Sequence, residues 1–421
     1  MRVRIALILS ALSAFAPLSV DMYLPAFPAM TDQLGASESE IQLTLTAFVI
    51  SLAIGQAISG PLSDSFGRRK PLVAGLVLYA AASVACAFAP SAVALVVFRF
   101  LQGLGAATGI VISRAQVRDL YSGIAMARFF STLMLIAGLA PILAPVLGGQ
   151  ILQVTSWRGV FAVLAVFGTV LLLSTLLGLP ETLPRERRRP AHIGGVLRSY
   201  GSLFANRVFL GYALTSALLF ASMFVYISGS PFVLQDIFGL SPQGFSIVFG
   251  LNAFGIMLFG QINTLLLGRF APRALTVAGL TIALSGATGL TVAAALGLGL
   301  AWILPPLFLV VASIGIVMPN TTALALADQA EHAGAASALI GVTQFLIGGL
   351  TAPLAGSGGS SAVPMAVVMT SAAALSFLTF AVLTRQQADR QHDDDHTGHE
   401  RGDEPAARSA QDTPDQAAAA G

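Results

Sequence analysis

The sequence predicts an all-α integral membrane fold with twelve transmembrane helices, and three observations carry that prediction. The chain of 421 residues is 55% hydrophobic and only 10% charged, whereas soluble globular chains carry about 25% charged residues. Its apolar stretches are each about 20 residues long, the length of a helix that crosses a bilayer. Its Lys and Arg residues are concentrated in every second connection, and therefore on one side of such a bilayer. The hydrocarbon core contains no water, so every backbone N–H and C=O group must find a hydrogen-bond partner within the protein, as in helices and closed barrels. The frequent glycine and proline residues favour helices over a barrel.

Polar connections divide the apolar stretches into spans. Two connections are long, residues 25–40 and residues 180–207, and the second carries six arginines. We therefore predict a block of six helices over residues 1–179, a cytoplasmic linker over 180–207 and a second block of six helices over 208–384. Residues 385–421 are charged and have no apolar period, which predicts a disordered cytoplasmic tail. The spans are expected at residues 5–25, 41–61, 72–90, 92–113, 129–152, 158–179, 208–230, 243–267, 274–297, 301–326, 334–355 and 363–384.

The basic residues predict the orientation of these spans. If the N-terminus is cytoplasmic, all but two of the 22 Lys and Arg residues lie in cytoplasmic segments, as the positive-inside rule requires. The exceptions are Arg99, inside a span, and Arg158, on an outer loop. We therefore expect a multi-pass membrane protein with both termini cytoplasmic. The excess of Arg over Lys and the frequent Ala and Gly indicate a bacterial chain, so the membrane is expected to be a bacterial inner membrane. The first span also resembles a secretory signal peptide, but its apolar stretch continues to Pro25, so an uncleaved helix is the simpler interpretation.

Several classes of function are disfavoured by the composition. A formal net charge of +2 does not suggest nucleic-acid binding. The only lysine, Lys70, is followed by Pro71, so the chain has no phosphate-binding loop of the Gly-Lys-Ser/Thr type, and ATP-driven export would need a separate subunit. We find no helical His-x-x-x-His motif or nucleophile constellation, and the loops are too short for a catalytic domain. We expect neither an enzyme nor a resident cofactor or metal. Histidines and aspartates at 392–399 could hold a metal or simply be solvated.

Two charged residues lie inside predicted spans, where a charge costs about 2.5–3.5 kcal/mol on insertion scales. From the helical rise, Arg99 lies roughly 10 Å from the outer end of span four and Asp21 about 6–8 Å from the outer end of span one. We therefore expect both to face one water-filled cavity. A buried carboxyl beside a guanidinium can change protonation near neutral pH, so Asp21 would carry a proton and Arg99 would set its proton affinity. The alternative is an aspartate that caps a helix end and an arginine that binds carbonyls.

The loop that begins at Gly60 and joins spans two and three has its own physical pattern. Gly67 permits a tight turn with positive φ. Asp64 can pair with a neighbouring arginine or a helix N-terminus. Arg68 and Arg69 anchor the cytoplasmic side. A plain positive-inside loop would explain the arginines but not the spacing of the glycine and aspartate.

Span five is rich in proline and glycine. Proline breaks backbone hydrogen bonds and bends helices, while small residues let another helix approach closely. The span can therefore bend or seal against a partner, although ordinary glycine-rich packing is an alternative. The residues concerned are Gly138, Pro141, Pro145, Gly148 and Gly149.

Polar and aromatic side chains within the spans are candidates for a substrate cavity. Hydrogen bonding between helices and core packing explain such residues equally well. The candidates are Tyr23, Gln102, Phe224, Tyr226, Asn252, Asn320 and Gln344.

These motifs together resemble a known family. Residues 60–70 resemble the signature between helices two and three of the major facilitator superfamily. Residues 99–105 are similar to the fourth-helix signature of its proton-driven drug antiporters, and residues 138–149 to the fifth-helix antiporter signature. Segments that look like the bicyclomycin and chloramphenicol resistance branch (Bcr/CflA) are residues 21–28, 157–161, 179–183 and 333–339.

The resemblance implies a major facilitator fold, with two six-helix bundles that rock around a central cavity. It implies export of drugs or other small hydrophobic or amphipathic compounds in exchange for protons, and a gating role for the loop of residues 60–70. The expected partners are a small-molecule substrate, protons and lipid, with the chain acting as a monomer. The second-half counterpart, residues 260–273, lacks an acidic residue, so the gating role is not carried there. An exporter of one endogenous metabolite, or an importer, remains the alternative on the same fold.

Overall fold

The computed structural model describes residues 2–188, 201, 203, 205–327, 329, 333–356 and 361–385. Within these residues the secondary structure is helical throughout, and no β-strand occurs among them. The predicted tail lies outside the described residues from position 386 onward, and so do residues 189–200, 202 and 204 of the predicted linker. The boundaries assigned to the linker and tail therefore stay predictions.

The first half contains six long helices and one short helix. A 3-10 turn, Leu24–Ala26, separates the first two helices. The helices are α1 (Arg2–Asp21), α2 (Phe27–Leu34), α3 (Glu38–Phe66), α4 (Arg69–Ala87), α5 (Ala92–Leu120), α6 (Gly123–Val154) and α7 (Trp157–Gly178).

The second half contains six long helices. The first of them continues as a π-helical turn, Val233–Ile237, and the fifth continues as a 3-10 segment, Ala352–Gly356. The helices are α8 (Arg207–Phe232), α9 (Pro242–Leu266), α10 (Pro272–Ala295), α11 (Leu300–Leu326), α12 (Ala333–Thr351) and α13 (Val363–Leu383).

The prediction of an all-helical membrane fold is confirmed. In the described part of the chain, 11 helices are long and apolar enough to cross a membrane by length and composition. The remaining long helix, α6, contributes a shorter apolar stretch, Gly138–Val154. Within the halves, α1 packs against α5, α6 and α7, and α8 packs against α11, α12 and α13. The halves meet where α6 packs against α9 and α3 packs against α12.

The first span ends earlier than predicted and is followed by a second helix. Regular α-helix stops at Asp21 and a 3-10 turn follows, because Pro25 has no N–H to donate to the carbonyl four residues before it. Helix α2 then occupies part of the predicted connection, and Gly35 ends it with a φ of 59°. The new chain direction is fixed by Ser37, whose side chain and that of Glu40 form a capping box at the start of α3.

Helix α5 is longer than the predicted span of residues 92–113. It begins after Ser91, whose hydroxyl accepts a hydrogen bond from the Ala94 N–H, and it continues to Leu120. The extra two turns carry Arg114 and Arg118. The predicted spans place both arginines in the cytoplasmic connection of residues 114–128. Both arginines are therefore held at fixed positions on a helix face.

Candidate functional site

A large cavity lies between the two halves of the molecule. Its volume is about 1130 Å³, slightly above the range of about 300–1,000 Å³ for sites that hold drug-sized ligands. Its wall is formed by α1, α3, α5 and α6 on one side and by α8, α9, α11 and α12 on the other. The lining reaches the last residue of α1, Asp21, and the last turn of α5, at Arg118, so the cavity extends along the bundle.

The cavity is closed at one end of the bundle. There the Thr46 hydroxyl donates to the Gly349 carbonyl at 2.8 Å, and the Gln42 amide donates to the Ser228 carbonyl at 3.3 Å. Both hydrogen bonds join the two halves. At the opposite end the wall extends to Arg118, an exposed residue in the last turn of α5. We call the first the sealed end and the second the basic end.

Asp21 lies at the end of α1 and contacts this cavity. Its side chain is 4% exposed. Among the described lining residues it is the only carboxylic acid. Its position in the last turn of α1 follows from the helix break before Pro25. A carboxyl in this position can exchange a proton with water in the cavity.

Arg99 lies behind the cavity wall and does not line the cavity, which corrects the expectation that it shares that space with Asp21. Its guanidinium is fully buried and donates to the Ser19 carbonyl at 3.0 Å and to the Gln102 side-chain carbonyl at 2.6 Å. It also lies 4.3 Å from the ring centre of Tyr23 and 4.2 Å from that of Phe48. Both Asp21 and Arg99 are described, and no ion pair joins them.

The surroundings of Arg99 explain its orientation. A side chain at Gly103 would collide with the Phe48 carbonyl and the Ser51 hydroxyl, so α3 and α5 approach closely there and enclose the guanidinium. Gln102 in turn donates to the Ser83 hydroxyl at 2.7 Å. The arginine thus ties α1, α4 and α5 together through a buried polar chain.

Two of the seven candidate cavity residues, Phe224 and Tyr226, line the cavity. Tyr23 and Gln102 are absent from its wall, because both pack around Arg99 behind it. The Tyr23 hydroxyl lies 3.1 Å from that of Thr44.

The three remaining candidates bridge helices instead of lining the cavity. Each amide finds a buried or half-buried hydrogen-bond partner on another helix, the alternative recognised from the sequence. Asn252 donates to the Tyr226 hydroxyl at 3.0 Å, Asn320 to the Asn263 side-chain carbonyl at 2.6 Å and Gln344 to the Ser216 hydroxyl at 3.2 Å.

Aromatic rings form much of the second-half wall. Phe220 packs against Phe224 with ring centres 5.2 Å apart and against Phe345 at 5.4 Å. Tyr226 stacks on Phe249 with ring centres 5.3 Å apart. All five residues line the cavity. They offer a broad apolar surface that suits aromatic or aliphatic ligands.

At the basic end, the loop between α3 and α4 is held by ion pairs. Arg68 forms an ion pair with Asp64 one helical turn earlier, and a second with Asp119 at 3.0 Å. It also donates to the Ser63 hydroxyl at 2.8 Å. Gly67 has a φ of 89°, which allows the turn that a residue with a side chain would strain. Arg68 consequently joins the end of α3 to the end of α5.

The rest of the loop motif has less specific contacts. Arg69 donates to the Leu176 carbonyl at 2.6 Å. Gly60 continues α3 without a turn, and its carbonyl accepts from Ser63 at 2.9 Å. Arg69 forms no ion pair in the described part of the chain. Gly60 has no side chain, so neither residue adds an ion pair to those of Arg68.

Glu181 supports this loop from the segment after α7. Its carboxylate accepts from the backbone N–H groups of Arg68 at 2.8 Å and Arg69 at 3.2 Å. Partial burial alone would raise the pKa of Glu181. Three backbone donors and the nearby Arg188 guanidinium outweigh burial and hold that pKa below its ordinary 4.5. The carboxylate therefore caps the N-terminus of α4.

Asp119 and Glu181 were missed as functional candidates. No sequence pattern marked Asp119 as functional, and Glu181 entered only as part of the family-like segment of residues 179–183. Thr182 also donates to Asp119 at 2.9 Å. Asp119, Glu181 and Thr182 all fall on the same predicted side of the membrane as Arg68, which was the available signal. The residues of each pair are far apart in sequence.

The glycine and proline motif of span five faces two neighbours. Gly138 and Pro141 line the cavity. The Pro145 carbonyl accepts from Ser246 at 2.8 Å, and the Gly149 carbonyl accepts from Gln243 at 2.9 Å. Gly148 lies directly against the Met22 carbonyl, which leaves no room for a side chain. The motif thus closes the sealed end against α9 and the end of α1.

The second half has a counterpart to the Arg68 cluster in which the described partners of the arginine are uncharged. Arg273, at the start of α10, donates to the Thr384 carbonyl at 3.0 Å and the Tyr212 hydroxyl at 3.2 Å. Its guanidinium lies 4.9 Å from the ring centre of Phe380. The two halves therefore differ in charge at the basic end. This agrees with the sequence, in which residues 260–273 contain no acidic residue.

Among the described residues, no cluster of His, Cys, Asp and Glu could hold a metal ion. The candidate metal ligands at 392–399 lie outside these residues. The basic-end network instead uses its carboxylates to bind arginines and backbone N–H groups.

Comparison with known proteins gives a consistent family. The model of the Major Facilitator Superfamily matches residues 9–353. The chain is 42% identical to an uncharacterized MFS-type transporter, YdgK, of Bacillus subtilis over 393 residues, which are 92% of this chain and 96% of that protein. It is 29% identical to a bicyclomycin resistance protein homolog of Haemophilus influenzae, covering 90% of this chain and 95% of that protein.

Solved structures show the same fold. A D-xylose-proton symporter superposes with a TM-score of 0.73 at 16% identity, covering 90% of this chain and 97% of the symporter. The two six-helix bundles and the resemblance to the drug–proton antiporter branch are confirmed. The chain therefore belongs to the Major Facilitator Superfamily and is a multi-pass bacterial membrane transporter, not an enzyme.

Proposed function

We propose that the chain exports small hydrophobic or amphipathic compounds in exchange for protons. The observation that carries this proposal is the position of Asp21, a carboxyl in the wall of a cavity otherwise rich in aromatic and aliphatic side chains. An apolar cavity accepts such compounds. A carboxyl inside a membrane protein is costly and commonly belongs to a proton or ion pathway. The name of the Haemophilus relative, a bicyclomycin resistance protein homolog, agrees with drug export.

Asp21 is proposed to bind a proton in one conformation and release it in the other. Arg99 would act as a positioning residue, because its hydrogen bond to the Ser19 carbonyl fixes the last turn of α1. This role replaces the direct charge interaction that we expected from the sequence. The buried guanidinium would hold Asp21 at the cavity wall as the halves move.

We further propose that the basic end faces the cytoplasm, with both chain termini on that side of a bacterial inner membrane. The positive-inside bias supports this orientation. The described conformation would then be open inward, ready to take up substrate and sealed toward the outside. The two bundles would rock against each other, one formed by residues 1–179 and the other by residues 208–384, joined by a linker of residues 180–207. This motion would break the hydrogen bond from Thr46 to Gly349 and close the basic end. A monomer contains the complete cavity.

The Arg68 network is proposed to act as a gate in that motion. The Asp64 side chain is half-exposed although it pairs with the largely buried Arg68, so its carboxylate is accessible to the other half when the basic end closes. Gly67 permits the turn, and Gly60 and Arg69 belong to the same segment. Glu181 keeps the gate attached to α7.

Export is tested by expressing the chain in a bacterial strain that lacks its own drug pumps. Cells are loaded with individual compounds from a panel, and efflux is followed with and without a protonophore. The proposal expects protonophore-sensitive efflux of several apolar compounds. Efflux that is unaffected by collapse of the proton gradient, or no efflux of any compound by correctly inserted protein, would contradict it.

A further inference from the structure

Two arginines face the cavity near its basic end. Arg114 and Arg118 both line the cavity from α5, and both are exposed. They are four residues apart, so they lie on the same face of the helix about 6 Å apart along its axis. Their guanidinium groups therefore point into the same part of the cavity.

Neither arginine forms an ion pair with a carboxylate in the described part of the chain. This contrasts with Arg68, which binds two carboxylates at the same end of the molecule. Two like charges at this spacing repel each other. The helix dipole explains Arg118, in the last turn of α5, but its effect does not reach Arg114, which lies further inside. An anion supplied from outside the protein would offset the charge.

The aromatic part of the wall is provided by the other half of the molecule. Phe220, Phe224 and Phe345 form a continuous aromatic cluster on α8 and α12. The cavity thus combines a cationic region on one half with an aromatic surface on the other. A ligand that matches both needs an anionic group and an apolar body.

We propose that Arg114, assisted by Arg118, binds the carboxylate of an amphipathic substrate whose apolar body packs on the aromatic cluster. Guanidinium groups bind carboxylates through paired, charge-assisted hydrogen bonds. This inference rests on the proposed function, because it names the substrate class of the same cavity. It adds a preference for organic anions over neutral compounds of the same shape, a preference that Asp21 alone would not produce.

The test uses two probes with one aromatic body, 2-naphthoate and the neutral 2-naphthamide. Binding of each to the purified full chain is measured by calorimetry in neutral detergent, without a proton gradient. The expected result is that naphthoate binds about tenfold more tightly than naphthamide, the usual worth of a charge-assisted hydrogen bond. Arg114→Gln should remove this preference and leave naphthamide binding unchanged, whereas Arg114→Lys should retain part of it.

The control variant is Arg269→Gln, since Arg269 is exposed at the basic end and does not line the cavity. It should keep the full preference for naphthoate. Equal binding of the two probes by the unaltered chain would overturn the proposal even if Arg114→Gln does not fold. Equal weakening of both probes by a folded Arg114→Gln would also overturn it. Because no gradient is applied, these failures are distinct from failure of proton coupling.

Discussion

Arg99 donates a hydrogen bond of 3.0 Å to the backbone carbonyl of Ser19, two residues before Asp21 on the same helix. The bond crosses from α5 to α1 and joins the two charged residues of the predicted spans indirectly. A backbone carbonyl has a fixed place in its helix, so the guanidinium determines where the last turn of α1 lies. In the proposed mechanism Asp21 carries the proton and Arg99 positions it, so the two roles fall on different residues.

Arg99→Ala should reduce proton-driven transport at least tenfold, because it removes two charge-assisted hydrogen bonds in a buried site. Arg99→Lys should be impaired less, since it keeps the charge but not the planar fork. Transport is measured in proteoliposomes with an imposed pH gradient. The control Arg269→Ala changes an exposed arginine and should transport normally. Normal transport by a correctly inserted Arg99→Ala would eliminate the positioning role.

The sealed end offers a second prediction. Thr46→Val keeps the shape of the side chain but removes the 2.8 Å bond to Gly349 in the other half. Loss of about 1 kcal/mol should shift the population roughly fivefold toward the conformation open at that end. The readout is labelling of a Met223→Cys site in the cavity, in a Cys86→Ala background, by a membrane-impermeant thiol reagent added to intact cells.

Thr169→Val is the matched control for that shift, because the Thr169 hydroxyl donates to the Ala165 carbonyl in its own helix and makes no hydrogen bond to the other half within the described residues. Labelling should increase for Thr46→Val and stay unchanged for Thr169→Val. Equal labelling of both variants would show that the bond does not hold the sealed end closed.

Glu181 gives a prediction with a defined pH dependence. Its pKa lies below the ordinary 4.5 in the folded protein, so the ionised carboxylate stabilises the fold. That contribution is complete above about pH 4.5 and is lost as the pH falls through the lowered pKa. Glu181→Gln should therefore cost about 1 kcal/mol at pH 7, the usual worth of a capping side chain. Heating in detergent, followed by measurement of the monodisperse fraction, reports the change.

In strong acid the difference between Glu181→Gln and the unaltered chain should disappear. Glu186→Gln serves as the control, because Glu186 is exposed in the same segment and forms no ion pair in the described part of the chain. A destabilisation by Glu181→Gln that persists unchanged below the lowered pKa would rule out the ionised carboxylate as its cause.

Phe224 tests which residues contact the substrate. Phe224→Ala should lower efflux of aromatic compounds by roughly three- to tenfold, because a ring contact is worth about 0.5–1.5 kcal/mol. Phe259→Ala removes a ring of the same size from α9 that packs against Phe308 and does not line the cavity. It should leave the ranking of exported compounds unchanged. The same change of ranking in both variants would mean that the cavity wall has been assigned wrongly.

The helical membrane fold could be predicted because bilayer thickness and backbone hydrogen bonding fix the length and type of each span. The ends of the spans could be predicted less well. The apolar pattern ends near residue 113 while α5 continues to Leu120, so the sequence did not indicate that Arg114 lies on this helix. The sequence also did not indicate which side chains of a helix face the cavity. Asp21 and Arg99 are both rare charges within spans, but only the packing of α3 against α5 shows that Arg99 is enclosed.

The polar cavity candidates illustrate a further limit of the sequence. Asn252, Asn320 and Gln344 bond to partners between 26 and 128 positions away. A single sequence contains no record of such pairs. The same holds for Glu181 and Arg68, which are 113 positions apart. Local patterns predicted the turn at Gly67, because its conformation depends on neighbouring residues alone.

The most direct test of proton-coupled export is Asp21→Asn in proteoliposomes. The amide is nearly the same size as the carboxyl but cannot exchange a proton, so uphill transport driven by an imposed pH gradient should be abolished or nearly so. Binding of substrate and insertion into the bilayer should persist, and Asp21→Glu should retain part of the transport. If the Asp21→Asn protein still accumulates a compound against its gradient when only a pH gradient is supplied, the central claim is wrong.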